Sequence, residues 1–283
     1  SLCLSGYNLT QKGVNQNVIV ISGGSSLNLA DCKLNGSEGT VTHGADIYGS
    51  GVIVRSGTFN MYGGNITENR GVASMFGIGV KSNDKFNMYG GSITNNSTDS
   101  GDGAGVYNNG TFTMYAGTIS GSTTDGDGGG VYVGLGGTFN LSGGEITGNT
   151  AAQSGGGVYV ADGGTLTVSG AAKVTGNTVD SKANNVYLPD GMTMAIGTGG
   201  LSGTIGVTTE KKPTASQPVV IANNTGKFSG LTLHIVSDDT AYITAVSDNT
   251  IVLKVKDGST SGEKTDPDYT PPTAKNLTYT GQA

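Results

Sequence analysis

The sequence predicts an all-β fold, a parallel β-helix solenoid with three short strands in each coil of about 27 residues. Three observations predict it. Large apolar residues at Phe59, Phe86, Phe112, Phe139 and Leu166 recur at spacings of 27, 26, 27 and 27. Two further series keep step with them: Ile66, Ile93, Ile119, Ile146 and Val174, and Val80, Val106, Val131, Val158 and Val186. Glycine supplies 51 of the 283 residues and falls between the apolar segments, where sharp corners need it.

Each repeat alternates apolar and polar residues over three or four positions, as in Val131 to Val133, Thr138 to Leu141 and Glu145 to Thr147. Period two means strands, and helix formers are sparse. One coil cannot bury its own apolar face, so coils must stack at the strand spacing of about 4.8 Å. Anchors at Leu2, Leu27, Phe59, Phe86, Phe112, Phe139, Leu166 and Met194 imply eight coils over residues 1–196. The wide gap from Leu27 to Phe59 predicts a bulged loop at 38–54. Gly63-Gly64, Gly90-Gly91 and Gly143-Gly144 mark one corner. Three residues after each Ile or Val of the second series come Asn69, Asn96, Ser122, Asn149 and Asn177, an inward amide ladder.

The chain opens in a strand-like Leu2-Cys3-Leu4 without Met or leader, which reads as a piece of a longer precursor. Aligning Leu2, Leu4 and Leu9 with Leu27, Leu29 and Leu34 puts Cys3 beside Asn28 and Cys32 beside Tyr7, so no disulfide is expected between them. After Ile196 the phase fades, and 197–258 reads as degenerate last coils and a β cap. Within it Ser247-Asp248-Asn249-Thr250 forms a hairpin turn. Residues 259–272 form a Gly/Ser/Thr/Asp/Pro linker, and 273–283 a truncated strand.

Composition excludes several classes. There is no Gly-X-Y register for collagen, and Pro is only 6 residues. A net charge of −6 with two arginines, Arg55 and Arg70, argues against nucleic-acid binding. No apolar run is long enough to span a bilayer, so no membrane insertion is expected.

The motif Gly-Val-Tyr-Val…Gly-Thr-Phe-Asn-Leu-Ser-Gly-Gly-Glu-Ile-Thr-Gly-Asn-Thr resembles right-handed parallel β-helix repeats of the pectin-lyase-like superfamily. More narrowly, it is similar to glycine-rich β-helix regions of large cell-surface proteins of gut bacteria, over residues 1–258. Residues 273–283 resemble the first strand of the immunoglobulin-like repeats of Gram-positive surface proteins. The resemblance implies a modular, extracellular, wall-attached parent with neighbouring immunoglobulin-like domains. It leaves function open, because the superfamily holds lyases, hydrolases, adhesins and stalks.

Strand alternation turns two tyrosine columns outward: Tyr107, Tyr132, Tyr159 and Tyr187, and Tyr62, Tyr89 and Tyr115, the second continued by Ser142 and Ser169. Such columns can stack on the rings of an extended glycan, or stack on themselves and stiffen the surface. Ranked Thr residues such as Thr111, Thr113, Thr165 and Thr167 fit solvated strands better than an ice-binding array, which Lys85 and Asn87 interrupt.

Asp102 and Asp127 should stack, as calcium candidates or as solvated turn acids. With no Gly-Gly-x-Gly-x-Asp repeat and no third Asp at Ser154, turn acids are the reading, and no metal or cofactor is expected. Asp99 and Asp125 could reach a glycosidase-like separation but lie in Gly-rich tips. Arg55 is a lyase base by residue type only. Arg70, beside Glu68 at a turn, reads as a surface salt bridge. His43 and His234 lack a Ser or Cys partner at an elbow.

The expected function is therefore a non-enzymatic, extracellular, adhesin-like stalk or binding module, contacting host or dietary glycans or a host surface protein. The alternative is a carbohydrate-active enzyme, a polysaccharide lyase or glycoside hydrolase, of the same fold.

Overall fold

The structure, a computed structural model, describes residues 1–13, 16–32, 38–44, 47–72, 77, 79–223 and 230–256. The expected linker at 259–272 and strand at 273–283 lie outside them. The described chain is a parallel β-solenoid of about eight turns. One sheet carries the phenylalanine series, with Phe59, Phe86, Phe112, Phe139 and Leu166 in direct register. A second face carries the Ile66 to Val174 series and a third the Val80 to Val186 series. A short corner sheet, running from Arg70–Gly71 through Ser97–Thr98 and Thr123–Thr124 to Thr178–Val179, lies between the second and third faces.

The core follows from this register. Phe59, Phe86, Phe112 and Phe139 are fully buried and their rings stack at centroid distances of 5.1, 4.5 and 4.6 Å. Met61, Met88, Met114, Leu141 and Val168 form the next buried column of the same strands. Glycine at the corners is required by shape. Gly144 has φ of 83°, and a Cβ there would stand 2.6 Å from Met114 Cε and 2.7 Å from the Gly117 carbonyl.

The structure corrects three expectations. Leu2 pairs with Leu29 and Cys3 with Ala30, so the first coil is two residues longer than the leucine alignment implies. That register carries Cys32 to a Cα separation of 6.1 Å from Cys3, and the two form a disulfide. The extra length of the second coil falls between Ala30 and Thr40 rather than over 38–54, because Thr40–His43 and Val52–Val54 are regular strands of the second and third faces. Past Ile196, where degenerate last coils were expected, further parallel strands follow. Ile205–Thr209 is parallel to both Val174 and Val186–Leu188, so one strand joins the second and third faces.

Ile235–Ser237 adds one more parallel strand beyond it. The cap is antiparallel: Val219–Asn223 pairs with Thr250–Val255, which pairs with Tyr242–Ser247 around the expected turn. Antiparallel closure ends the stack with a hairpin that needs no further coil.

Two stability changes follow. Truncating Phe112→Ala removes a ring stacked on both sides and should lower unfolding free energy by about 3–5 kcal/mol in chemical denaturation. Ser82 lies in the core beside Val54 with its hydroxyl buried and unpartnered among the described residues. Ser82→Ala removes that cost and should raise stability by about 1 kcal/mol in the same measurement.

Candidate functional site

The outward side chains are positioned by the pleat. In each third-face strand the Val on either side of Tyr132 and Tyr159 is buried, so the tyrosine between them points out. Tyr107, Tyr132, Tyr159 and Tyr187 then stack at 5.0, 5.3 and 5.7 Å with ring planes within 9° of parallel. On the first face Tyr62, Tyr89 and Tyr115 stack at 4.8 and 4.9 Å and remain 52%, 40% and 49% exposed. The first row is half-buried, the second the more open.

This geometry changes what the rows can do. Ring stacking uses the faces of the inner tyrosines on one another, so sugar rings cannot lie on them. Lys81 Nζ stands 5.7 Å from the Tyr107 centroid and covers one end of its row. The rows present ring edges and hydroxyls at a constant pitch. Burial, then the charges of Asp102 and the neighbouring rings, push the Tyr132 hydroxyl up to about 12. Partial burial and carboxylates also raise Tyr159. Beside the open row runs an outward amide column, with Asn60 Nδ2 donating to Asn28 Oδ1 and Asn87 Nδ2 to Asn60 Oδ1, both at 2.8 Å.

Asp102 and Asp127 come together one coil apart. The Asp127 backbone N–H donates to Asp102 Oδ1 at 2.8 Å. Partial burial and then the Asp102 charge push the Asp127 carboxyl up to about 6, against the Ser154 backbone hydrogen bond. No group of three or more His, Cys, Asp or Glu that could hold a metal occurs among the described residues. Asp99 and Asp125 line an open groove of about 400 Å³ along the corner sheet with Thr98, Thr124 and Asp180. Asp99 is engaged by Arg70 Nη2 at 3.4 Å, and Arg70 also lies over the Tyr48 ring, so its salt bridge crosses to the next coil instead of meeting Glu68. Nδ1 of His234 meets the Gly203 carbonyl at 2.8 Å. No known protein family, curated protein or solved structure matches the chain.

One polar residue escaped the sequence reading. Asp238 accepts hydrogen bonds from Asn185 N at 2.7 Å, Asn185 Nδ2 at 2.6 Å and Thr208 Oγ1 at 2.8 Å. Burial raises its carboxyl above the usual range despite those bonds and the Lys212 charge. It lines a cavity of about 520 Å³ with Lys182, Lys212 and Asp239. No repeat pointed to it, because its partner Asn185 is 53 residues away in a region where the periodicity has faded.

For Asp127 the sign is set by a folded-state pKa above the unfolded value. The folded chain holds the proton more tightly, so this carboxyl favours folding in acid, and the advantage disappears as pH rises through about 6. Asp127→Asn should therefore raise the thermal midpoint at about pH 7.5 and lose that gain near pH 4, as read by calorimetry across the range.

Proposed function

We propose that this chain is a non-enzymatic, extracellular stalk or display module of a bacterial surface protein, built on the right-handed, pectin-lyase-like type of coil. Its partners on this reading are host or dietary glycans or a host surface protein, and immunoglobulin-like domains follow it in the parent. The observation that carries the reading is the pair of in-register tyrosine rows on an unbroken apolar stack. A continuous core of this kind resists bending, and its strand pitch repeats any outward group along the rod. The Cys3–Cys32 disulfide supports an extracytoplasmic location, since disulfides persist in oxidising compartments.

Contact would come from the open row. Tyr62, Tyr89 and Tyr115 offer hydroxyl edges beside the amides of Asn60 and Asn87, with Lys85 exposed on the same face, a surface suited to hydrogen bonding along an extended sugar chain. Stacking on a ring face is left to end members such as Tyr115, which is followed by Ser142 instead of another ring.

A glycan array tests this. Wild type should bind extended glycans, and Tyr89→Ala should weaken binding by about tenfold or more while thermal stability changes little. Equal binding by both proteins would remove the row from the function. Release of reducing sugar or unsaturated uronate from pectins or host glycans would instead place the chain with the carbohydrate-active enzymes.

A further inference from the structure

The open tyrosine row stops part-way along the solenoid. Tyr62, Tyr89 and Tyr115 each follow the last residue of a paired first-face strand, Met61, Met88 and Met114. The same column continues as Ser142, Ser169 and Gly197, which follow Leu141, Val168 and Ile196 of the strands paired beyond. Register is kept across the change: Tyr115 N donates to the Met88 carbonyl and Ser142 N to the Met114 carbonyl, both at 2.8 Å. Tyr115 therefore has one ring face on Tyr89 and the other over a coil whose side chain is too short to supply a ring. Exposure agrees. Tyr89, with a ring on either side, is 40% exposed, and Tyr115 is 49% exposed.

The row itself shows what the column accepts. It holds flat rings at 4.8 and 4.9 Å with planes 8° and 4° from parallel, their faces turned along the solenoid axis. A ring laid on the open face of Tyr115 continues that spacing and comes to stand over Ser142. Polar groups surround this step. Ser169 Oγ donates to Ser142 Oγ at 3.3 Å, so the Ser142 proton is directed elsewhere. Asn140, two residues before Ser142 on the same outward side, is in register with Thr113 and Thr167. Glu145 and Lys173, past the Gly143-Gly144 corner, pair with each other at 2.9 Å.

An aromatic face with hydroxyl and amide groups at its foot suits a ring that is apolar on its face and polar around its rim. A pyranose with equatorial hydroxyls is such a ring, since its axial C–H bonds lie on the faces and its hydroxyls at the edge. We propose that the step at Tyr115 is a subsite for one neutral, all-equatorial pyranose, stacked on the open face of Tyr115 with its rim hydroxyls on Ser142 and Asn140. The subsite presupposes the open row as a glycan-contacting surface and adds to it the sugar that is stacked. Equatorial substituents leave such a ring in its own plane. The rest of the glycan therefore leads away across the rod, and the stacked residue is a chain end or a branch.

The other row ends are built differently. Tyr62 is preceded in its column by Ala30 and by Cys3, which is held in the disulfide, so that side offers no hydroxyl at its foot. On the third face Tyr187 is followed by Thr208, whose Oγ1 is committed to Asp238 at 2.8 Å.

The test uses the 283-residue chain with ¹³C-labelled tyrosine, and methyl β-D-glucopyranoside as the probe. Tyr62→Phe, Tyr89→Phe and Tyr115→Phe assign the row. In the wild type the probe should shift the Tyr115 ring resonances more than those of Tyr89 or Tyr62. Ser142→Tyr lengthens the row by one ring and should weaken the probe's association at Tyr115 by about tenfold or more. Tyr115→Ser shortens the row by one ring and should pass the shift to Tyr89. Both changes copy the residue of an adjacent coil, and an unchanged thermal midpoint shows that the fold is kept. An unmoved Tyr115 in the wild type, or the same Tyr115 shift in Ser142→Tyr, overturns the subsite. The glycan array with Tyr89→Ala reads the hydroxyl edges separately. Binding lost there beside an unmoved Tyr115 removes the subsite and keeps the row. Equal array binding beside a shifted Tyr115 removes the edges and keeps the subsite.

Discussion

Parallel strand pairing at one fixed pitch is the constraint from which the rest of this molecule follows. When the coil above repeats the coil below in register, every side chain meets its own equivalent at about 4.8 Å. That distance suits stacked aromatic rings, which is why phenylalanine can occupy one inward column for four coils. The same pitch is demanding elsewhere. Like charges placed in a column repel, as Asp102 and Asp127 do, and a polar group turned inward must find a partner in its own column.

The inward amides show how that demand is met. Asn96, Asn149 and Asn177 each accept a backbone N–H of the preceding coil on the side-chain oxygen and donate a side-chain N–H to a carbonyl of that coil, so one residue type repeated in phase satisfies buried turn groups along much of the solenoid. Space for the column comes from the glycine before Val52, Val80, Val106, Val131 and Val158. A Cβ on Gly51 would stand 2.9 Å from Asn69 Nδ2, and one on Gly157 would stand 2.7 Å from Asn177 Nδ2. The Gly-Val pair and the Asn that follows the isoleucine are therefore two halves of one packing arrangement, although they lie on different faces.

The outer surface obeys the same pitch with a different result. Tyrosines stacked in a row stiffen the surface and turn only their edges to solvent, so the rows supply hydroxyls more than aromatic faces. On the proposed reading, a rod with a continuous core and repeated outward donors serves display through repetition along its axis.

Much of this was legible in the sequence. The Phe, Ile and Val series, the outward tyrosines, the asparagine column and the pairing of Asp102 with Asp127 all follow from periodicity, because parallel stacking turns equal spacing into spatial contact. Legibility failed where the period changes. The leucines near the start match at a shift of 25, but hydrogen bonding aligns Leu2 with Leu29, and that two-residue difference brings Cys3 and Cys32 together. The inserted length, the strand joining two faces at Ile205–Thr209, the ring contacts of His43 and the closure by Asp238 depend on chain paths between non-equivalent positions. The sequence alone determined which residues recur and which way they face, since a repeated pleat leaves no other choice. Only the tertiary structure decided how the inward column is closed where the period breaks, because a position without an equivalent in the neighbouring coil must recruit whatever donor or acceptor the fold brings within reach, as Asn185 does with Asp238.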